Sequence, residues 1–215
     1  MKEIDLLNWN RREIFYMYKS AFEAPFYSIS CNIDITNIFK FAKKNNLSVF
    51  KTLLYVIARS VNSVQELNYR INGDKVFELD CSHPKFTHLS NDGVFTFCIV
   101  DFNEDFQKFY VDTEKEMKKR EIEPLRTFNH NRDDLINITC VPWVSFSHIN
   151  FSYYNSPIGT PHITIGKFYS EFDKTKLPLT LHVNHALVDG YHVGLFFNGI
   201  ESLANLLIEN YMNDK

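Results

Sequence analysis

Apolar and polar residues alternate most regularly near the C-terminal end of the chain. From Leu179 to His185, Leu179, Leu181, Val183 and His185 fall on one side while Thr180, His182 and Asn184 fall on the other. This is the period-two pattern of a strand with one apolar face, and that face ends in an imidazole. Asp189-Gly190 supplies a turn. Val193, Phe196, Ile200, Leu203 and Leu207 then recur at helical spacing, which predicts a final helix from about Gly190 to Tyr211.

The preceding chain switches repeatedly between the two periods. Asn10, with Glu13 three residues on, reads as a capped helix start; Ile14, Met17, Tyr18 and Ala21 continue the helix, and Ala24-Pro25 ends it. Residues 26–34 predict a strand and 35–45 a short helix. Ser48 caps a stronger helix with an apolar stripe of Phe50, Leu53, Leu54, Ile57 and Val61. Residues 69–77 predict a hairpin around Asn72-Gly73, followed by strands near Phe86 and over 94–100. In the charged helix that follows, Glu114–Lys118 and Glu116–Arg120 sit four residues apart, the spacing of a solvated outer face. A polar loop over 123–134, strands over 135–140 and 160–169, and a charged turn over 171–176 complete the pattern. No linker or repeat divides it, so the expectation is one α+β domain over residues 1–215.

Composition narrows the function. A chain of 215 residues can bury a sizeable core. Its 20 Phe and 11 Tyr are an excess of the kind found in pockets and subunit contacts. A net charge of −3 carries no electrostatic footprint for nucleic acid. The start lacks the regions of a signal peptide, and no apolar run reaches membrane-spanning length. Cys31, Cys81, Cys98 and Cys140 have no metal or redox spacing and read as free thiols. Together these features predict a cytoplasmic protein without nucleic-acid or membrane partners.

Three stretches offer chemistry. His185-Ala-Leu-Val-Asp189-Gly presents a histidine at a strand end, partly stripped of water: either a satisfied core residue or a base. Thr139, shortly before Pro142-Trp143-Val-Ser145-Phe146, is a hydroxyl that either caps a turn or donates to a developing oxyanion. In Thr164-Ile165-Gly166-Lys167-Phe168, the lysine either meets a phosphate or is solvated beside a bulge. His182, His185, Asp189 and His192 crowd together in sequence. The two strand histidines face opposite sides, however, so no metal is expected.

Taken together these segments resemble the chloramphenicol acetyltransferase family, essentially from end to end. Trp9-Asn-Arg11-Arg-Glu-Ile-Phe15 resembles the family's N-terminal pattern, and Asp34-Ile-Thr36 matches a family tripeptide. Pro142-Trp-Val-Ser-Phe146 is the most family-specific piece; Thr164-Ile-Gly-Lys167 and His185-Ala-Leu-Val-Asp189-Gly-Tyr-His192 are similar to further family motifs. The His-x-x-x-Asp-Gly core is shared with other CoA-dependent acyltransferases, including dihydrolipoamide acyltransferases and peptide-synthetase condensation domains.

The resemblance implies a mixed β-sheet covered by helices and acetyl transfer from acetyl-CoA to a hydroxyl of chloramphenicol, with no metal. His185 falls at the general base, Thr139 at the oxyanion donor, and Thr164 at a residue that stabilises the same intermediate through water. Asp189 and Arg11 fall at a structural ion pair. Lys167 and Phe168 fall at residues that meet CoA, while Tyr18, Phe26 and Tyr27 fall around the acceptor pocket. A homotrimer with sites at subunit interfaces is implied as well. The chain departs from the family at Asn184, where a histidine is usual, at Thr139, where a serine is usual, and around Ala24-Pro25. These departures bear on the acceptor. Two rival readings are a same-fold acyltransferase acting on another small alcohol, amine or thiol, and a trimeric binding protein without turnover.

Overall fold

The computed structural model describes residues 1–127, 132–150 and 159–213. Along the chain come β1 (Lys2–Glu3), α1 (Arg12–Ala21), β2 (Phe26–Asp34), α2 (Thr36–Lys44) and α3 (Val49–Asn62). After a 3-10 turn at Gln65–Asn68 follow β3 (Tyr69–Asn72), β4 (Lys75–Glu78), β5 (His83–Leu89), β6 (Phe95–Ile99) and α4 (Phe106–Ile122). The last elements are β7 (Leu135–Cys140), β8 (His162–Ile165), β9 (Tyr169–Glu171), β10 (Lys174–Asn184) and α5 (Gly190–Asn213). Among the described residues the main sheet has the order β2-β10-β8-β7-β5-β6, with β9 paired to β10. β5, β7 and β8 run parallel and the remaining pairs antiparallel, so the sheet is mixed. A small sheet of order β1-β4-β3 lies apart from it.

Register sorts the main sheet into two faces. Leu179 lies opposite Ile165, Leu181 opposite Ile163, Ile163 opposite Ile138, and Ile138 opposite Phe86. That apolar face packs against α2, α3 and α5. α3 departs from the single stripe its spacing predicts: Tyr55, Val56 and Ala58 are buried along with Leu53, Leu54, Ile57 and Val61. Neighbours on several sides, α2, α4 and α5, make it the central helix. Ser60 Oγ donates to the Phe196 carbonyl at 2.8 Å, and a Cβ at Gly199 would stand 3.3 Å from that hydroxyl, so the glycine permits the close crossing of α3 and α5.

The opposite face is polar and also covered. Thr180, His182 and Asn184, which the alternation places on the polar side, are nearly as buried as their apolar neighbours. The segment after β7 lies over them: Ser28 donates to Asn150 Oδ1 at 3.0 Å, and His148 Nδ1 sits 3.2 Å from Ser30 Oγ.

Several element limits move. α1 starts at Arg12 with Arg11 in the cap position and no side-chain cap, because the Arg11 side chain is engaged elsewhere. The hairpin turns at Gly73-Asp74, one residue later than Asn72-Gly73, with Gly73 in the left-handed region at φ 61°. The strand expected over 160–169 splits into β8 and β9, and the charged turn over 171–176 contracts to Phe172-Asp173 between β9 and β10. Part of the polar loop over 123–134 lies outside the described residues. On α4 the Glu114–Lys118 and Glu116–Arg120 pairs form at 2.9 and 2.7 Å. Among the described residues no helix is long and apolar enough to cross a membrane.

Candidate active site

β10 ends at Asn184, and the chain turns there in a defined way. Asn184 Oδ1 accepts from the Ala186 amide at 2.9 Å, and its carbonyl accepts from Leu187 and Val188 at 3.0 Å each. The His185 amide donates to the Pro25 carbonyl at 2.6 Å, which ties the turn to the residue before β2. The ring is then held by two tyrosines: Tyr18 stacks on it at 4.4 Å and 17°, and Tyr27 lies 4.5 Å away, tilted by 40°. One third of the His185 side chain stays exposed. Among the described residues its Nδ1 is buried without a hydrogen-bond partner, and it faces Asp189 Oδ1 at 3.5 Å. A carboxylate on that side favours the Nδ1–H tautomer, which leaves the Nε2 lone pair to take a proton.

Arg11 fixes Asp189. Its Nη1 donates to Asp189 Oδ2, its Nη2 to Asp189 Oδ1 at 3.0 Å, and the same Nη2 to the His185 carbonyl at 3.3 Å. Arg11 is presented by the start of α1, where Trp9 packs on Phe15 and Tyr69 and Phe15 is fully buried. The guanidinium's hydrogen bonds hold the Asp189 carboxyl below the usual carboxylate range against the opposing effect of burial. Burial, helped by the Asp189 charge, pushes the Tyr27 phenol up to about 12, and its hydroxyl donates to the Val188 carbonyl at 3.3 Å. The Asp189 amide donates to His192 Nδ1 at 3.0 Å, with His192 Nε2 facing Glu66 at 3.5 Å.

A second cluster occupies the polar face. Thr139 pairs with Thr164, and Thr164 with Thr180. Thr180 Oγ1 is 2.7 Å from Ser30 Oγ, and Thr139 Oγ1 is 3.0 Å from His162 Nε2. His182 lies directly opposite His162, 2.6 Å from Ser28 Oγ, with Phe26 stacked on it at 5.5 Å. Burial lowers both histidines, and the neighbouring His182 and Lys85 add to the effect on His162, bringing it to about 4.

Tyr18, Tyr27, Arg11, Asp189 and His185 thus come together, whereas Thr139, Thr164 and Phe26 do not join them. His185 lies one residue beyond β10 against Tyr27, which pairs with Val183 on the apolar face, whereas Thr139 and Thr164 follow the polar register. The four steps from Thr180 to the end of β10 at Asn184 span about 14 Å, and two strand spacings add about 10 Å sideways, so the start of the His185 turn lies about 17 Å from Thr139.

Lys167 and Phe168 sit at the other end of β8, both exposed. The Lys167 amide donates to the Val144 carbonyl at 2.9 Å, and Phe168 leans on Phe39 at 5.5 Å. A Cβ on Gly166 would meet Phe146 Cε1 at 2.8 Å, so Pro142-Trp-Val-Ser-Phe146 docks its last ring on a glycine. Asp34-Ile-Thr36 joins β2 to α2, with Asp34 Oδ1 accepting from the Thr36 amide and hydroxyl at 3.0 and 2.6 Å. A surface hollow of about 330 Å³, lined by Phe102, Lys108, Asp112 and Glu116 among others, contains none of the predicted site residues. His162, Ser28 and Ser30 were missed by sequence reasoning. They would have followed from the alternation of β2 and β8 had the pairing with β10 been known.

The family model described as chloramphenicol acetyltransferase matches residues 1–201. The chain belongs to the chloramphenicol acetyltransferase family. The chloramphenicol acetyltransferase of Clostridium perfringens is 30% identical over 208 residues, covering 94% of each chain. That of Staphylococcus aureus is 33% identical over 209 residues, covering 94% of this chain and 95% of the relative. A solved chloramphenicol acetyltransferase superposes with a TM-score of 0.80 at 22% identity, covering 94% of this chain and 98% of the other. A probable dihydrolipoamide acetyltransferase from Listeria monocytogenes gives 0.66 at 15% identity, with 95% and 94% covered. In this member of the chloramphenicol acetyltransferase family, the His185 and Thr139 motifs therefore belong to one fold but to two separate surfaces of it.

Proposed function

We propose that this protein transfers the acetyl group of acetyl-CoA to a hydroxyl of chloramphenicol, acting as a single-domain subunit of a cytoplasmic homotrimer. The observation that carries the reading is the clamp on His185: two tyrosine rings, a backbone bond to Pro25 and an Asp189 side chain occupied by Arg11. His185 Nε2 takes the proton of the acceptor hydroxyl as that oxygen bonds to the thioester carbonyl carbon. Thr139 donates to the oxygen on which negative charge then gathers, and Thr164 supports the same oxygen through water. As the carbon–sulfur bond breaks, His185 returns the proton to the departing thiol sulfur. Asp189, bound to Arg11, orients the imidazole and exchanges no proton.

Lys167 and Phe168 suit the CoA end, a cation for phosphate beside an exposed ring for a nucleobase. Tyr18 and Tyr27 border the acceptor next to His185, and Phe26 borders it from the polar face. Because one sheet separates His185 from Thr139, a complete site takes His185 from one subunit and Thr139 from the next.

Purified protein given micromolar chloramphenicol and acetyl-CoA should release free thiol, followed with a thiol-reactive chromophore. His185→Ala should lower turnover by ~10²–10⁴ while chloramphenicol binding persists. Thiol release with other alcohols, amines or thiols but none with chloramphenicol would reject the acceptor; unchanged turnover in His185→Ala would reject the base.

A further inference from the structure

The polar face carries a group that the proposed chemistry does not use. His162 lies on β8 diagonally across from Thr139 on β7, both inside the paired part of the sheet, so the backbone register fixes their approach. Among the described residues, His162 Nε2 at 3.0 Å is the hydrogen-bond partner of Thr139 Oγ1. A hydroxyl has one proton to give. If Thr139 spent it on His162, none would remain for an oxyanion. If His162 donates, the threonine proton stays available, and accepting a bond polarises its O–H further.

We infer that His162 is a positioning residue for the oxyanion donor: its Nε2–H donates to Thr139 Oγ1 and turns the threonine's own proton toward the reacting carbonyl oxygen. The inference rests on the proposed role of Thr139. It also gives the branched Thr139 side chain a second anchor. β-Branching restricts the χ1 choices, and the bond from His162 selects among them. Burial favours the neutral ring, which carries one N–H. The neighbouring polar chain is consistent with such ordering: with Ser28 donating to Asn150, the His182 Nδ1–H donates to Ser28.

The test is a cycle of variants assayed with chloramphenicol and acetyl-CoA. His162→Leu should lower kcat ~10-fold, the worth of one well-placed hydrogen bond, with little change in either KM. His162→Gln, whose amide N–H reaches a similar point, should recover most of that loss. In a Thr139→Ala background, His162→Leu should cost nothing more, because its effect passes through the missing hydroxyl. If His162→Leu fails to fold, His162→Asn, whose shorter amide stops short of Thr139, takes its place against His162→Gln. Unchanged kcat in His162→Leu, or an equal loss with and without the Thr139 hydroxyl, would overturn the inference. Unchanged kcat in Thr139→Ala alone would instead remove the oxyanion role on which it rests.

Discussion

Replacing Arg11 by leucine removes the group that holds the His185 turn together. The guanidinium makes three hydrogen bonds, two to the Asp189 carboxylate and one to the His185 carbonyl. Its own side chain is 8% exposed and that of Asp189 34%. Breaking a buried ion pair costs about 3–5 kcal/mol, and the water that reaches Asp189 places this case at the lower end, about 3 kcal/mol. For a chain of this size that corresponds to a melting temperature lower by roughly 6–12 °C at fixed protein concentration. The pH dependence gives a sharper check. The Asp189 carboxyl is held below its ordinary value in the folded protein, chiefly by the hydrogen bonds from Arg11. A depressed folded value contributes stability that is present above the unfolded value of about 3.9 and is lost as pH falls through the folded one. The stability difference between the native protein and Arg11→Leu should therefore be full at neutral pH and shrink below about pH 4. Urea denaturation across that range measures it. A variant as stable as the native protein at pH 7, or a difference that does not shrink in acid, would refute the assignment of Asp189 as an ionised partner of Arg11.

Two further outcomes follow from the geometry. Co-expressed His185→Ala and Thr139→Ala chains, each nearly inactive alone, should assemble into mixed oligomers that regain a measurable part of the native turnover. No recovery in assemblies verified as mixed would place both groups in one subunit's site. Gly166→Val puts a side chain where Phe146 Cε1 would lie 2.8 Å from the first added carbon and Pro178 Cβ 3.2 Å. Overpacking of this kind should cost ~1–3 kcal/mol in urea titration and weaken the docking of residues 142–146, and an unchanged midpoint would show that the Phe146 ring moves freely.

How much of this was legible beforehand depended on whether the signal was local. β2, β7 and the Ser48 cap follow their sequence patterns closely because spacing and capping chemistry are written within a few residues. The Arg11–Asp189 pair was reachable only through family resemblance, since 178 residues separate its members. Where local rules failed, tertiary demands had overridden them. Asn10 does not cap α1 because Arg11 occupies that position and sends its side chain to Asp189. Buried Thr180, His182 and Asn184 break the rule that a polar strand face meets water, because the segment after β7 brings partners to that face. His162 was invisible as a functional group: the alternation of a four-residue strand is weak, and its contact with Thr139 depends on the register of a parallel pair.

The sheet itself constrains the assembly. His185, in the turn after β10, packs against Tyr27 on the apolar side, while Thr139 lies on the polar face of β7, so the sheet stands between them. Two copies that meet can complete a site only by bringing the His185 surface of one to the Thr139 surface of the other, two different patches. A two-fold interface that completed both sites at once would have to straddle both faces of each sheet. With both residues in the roles proposed above, the contact is heterologous, and a heterologous contact either closes into a ring or propagates without end. Among closed solutions, the homotrimer we propose gives every subunit one site on each side, so all three His185 side chains face a neighbour's Thr139. Dilution that dissociates the ring should then abolish turnover in every subunit while the fold, which keeps the Arg11–Asp189 clamp within one chain, persists.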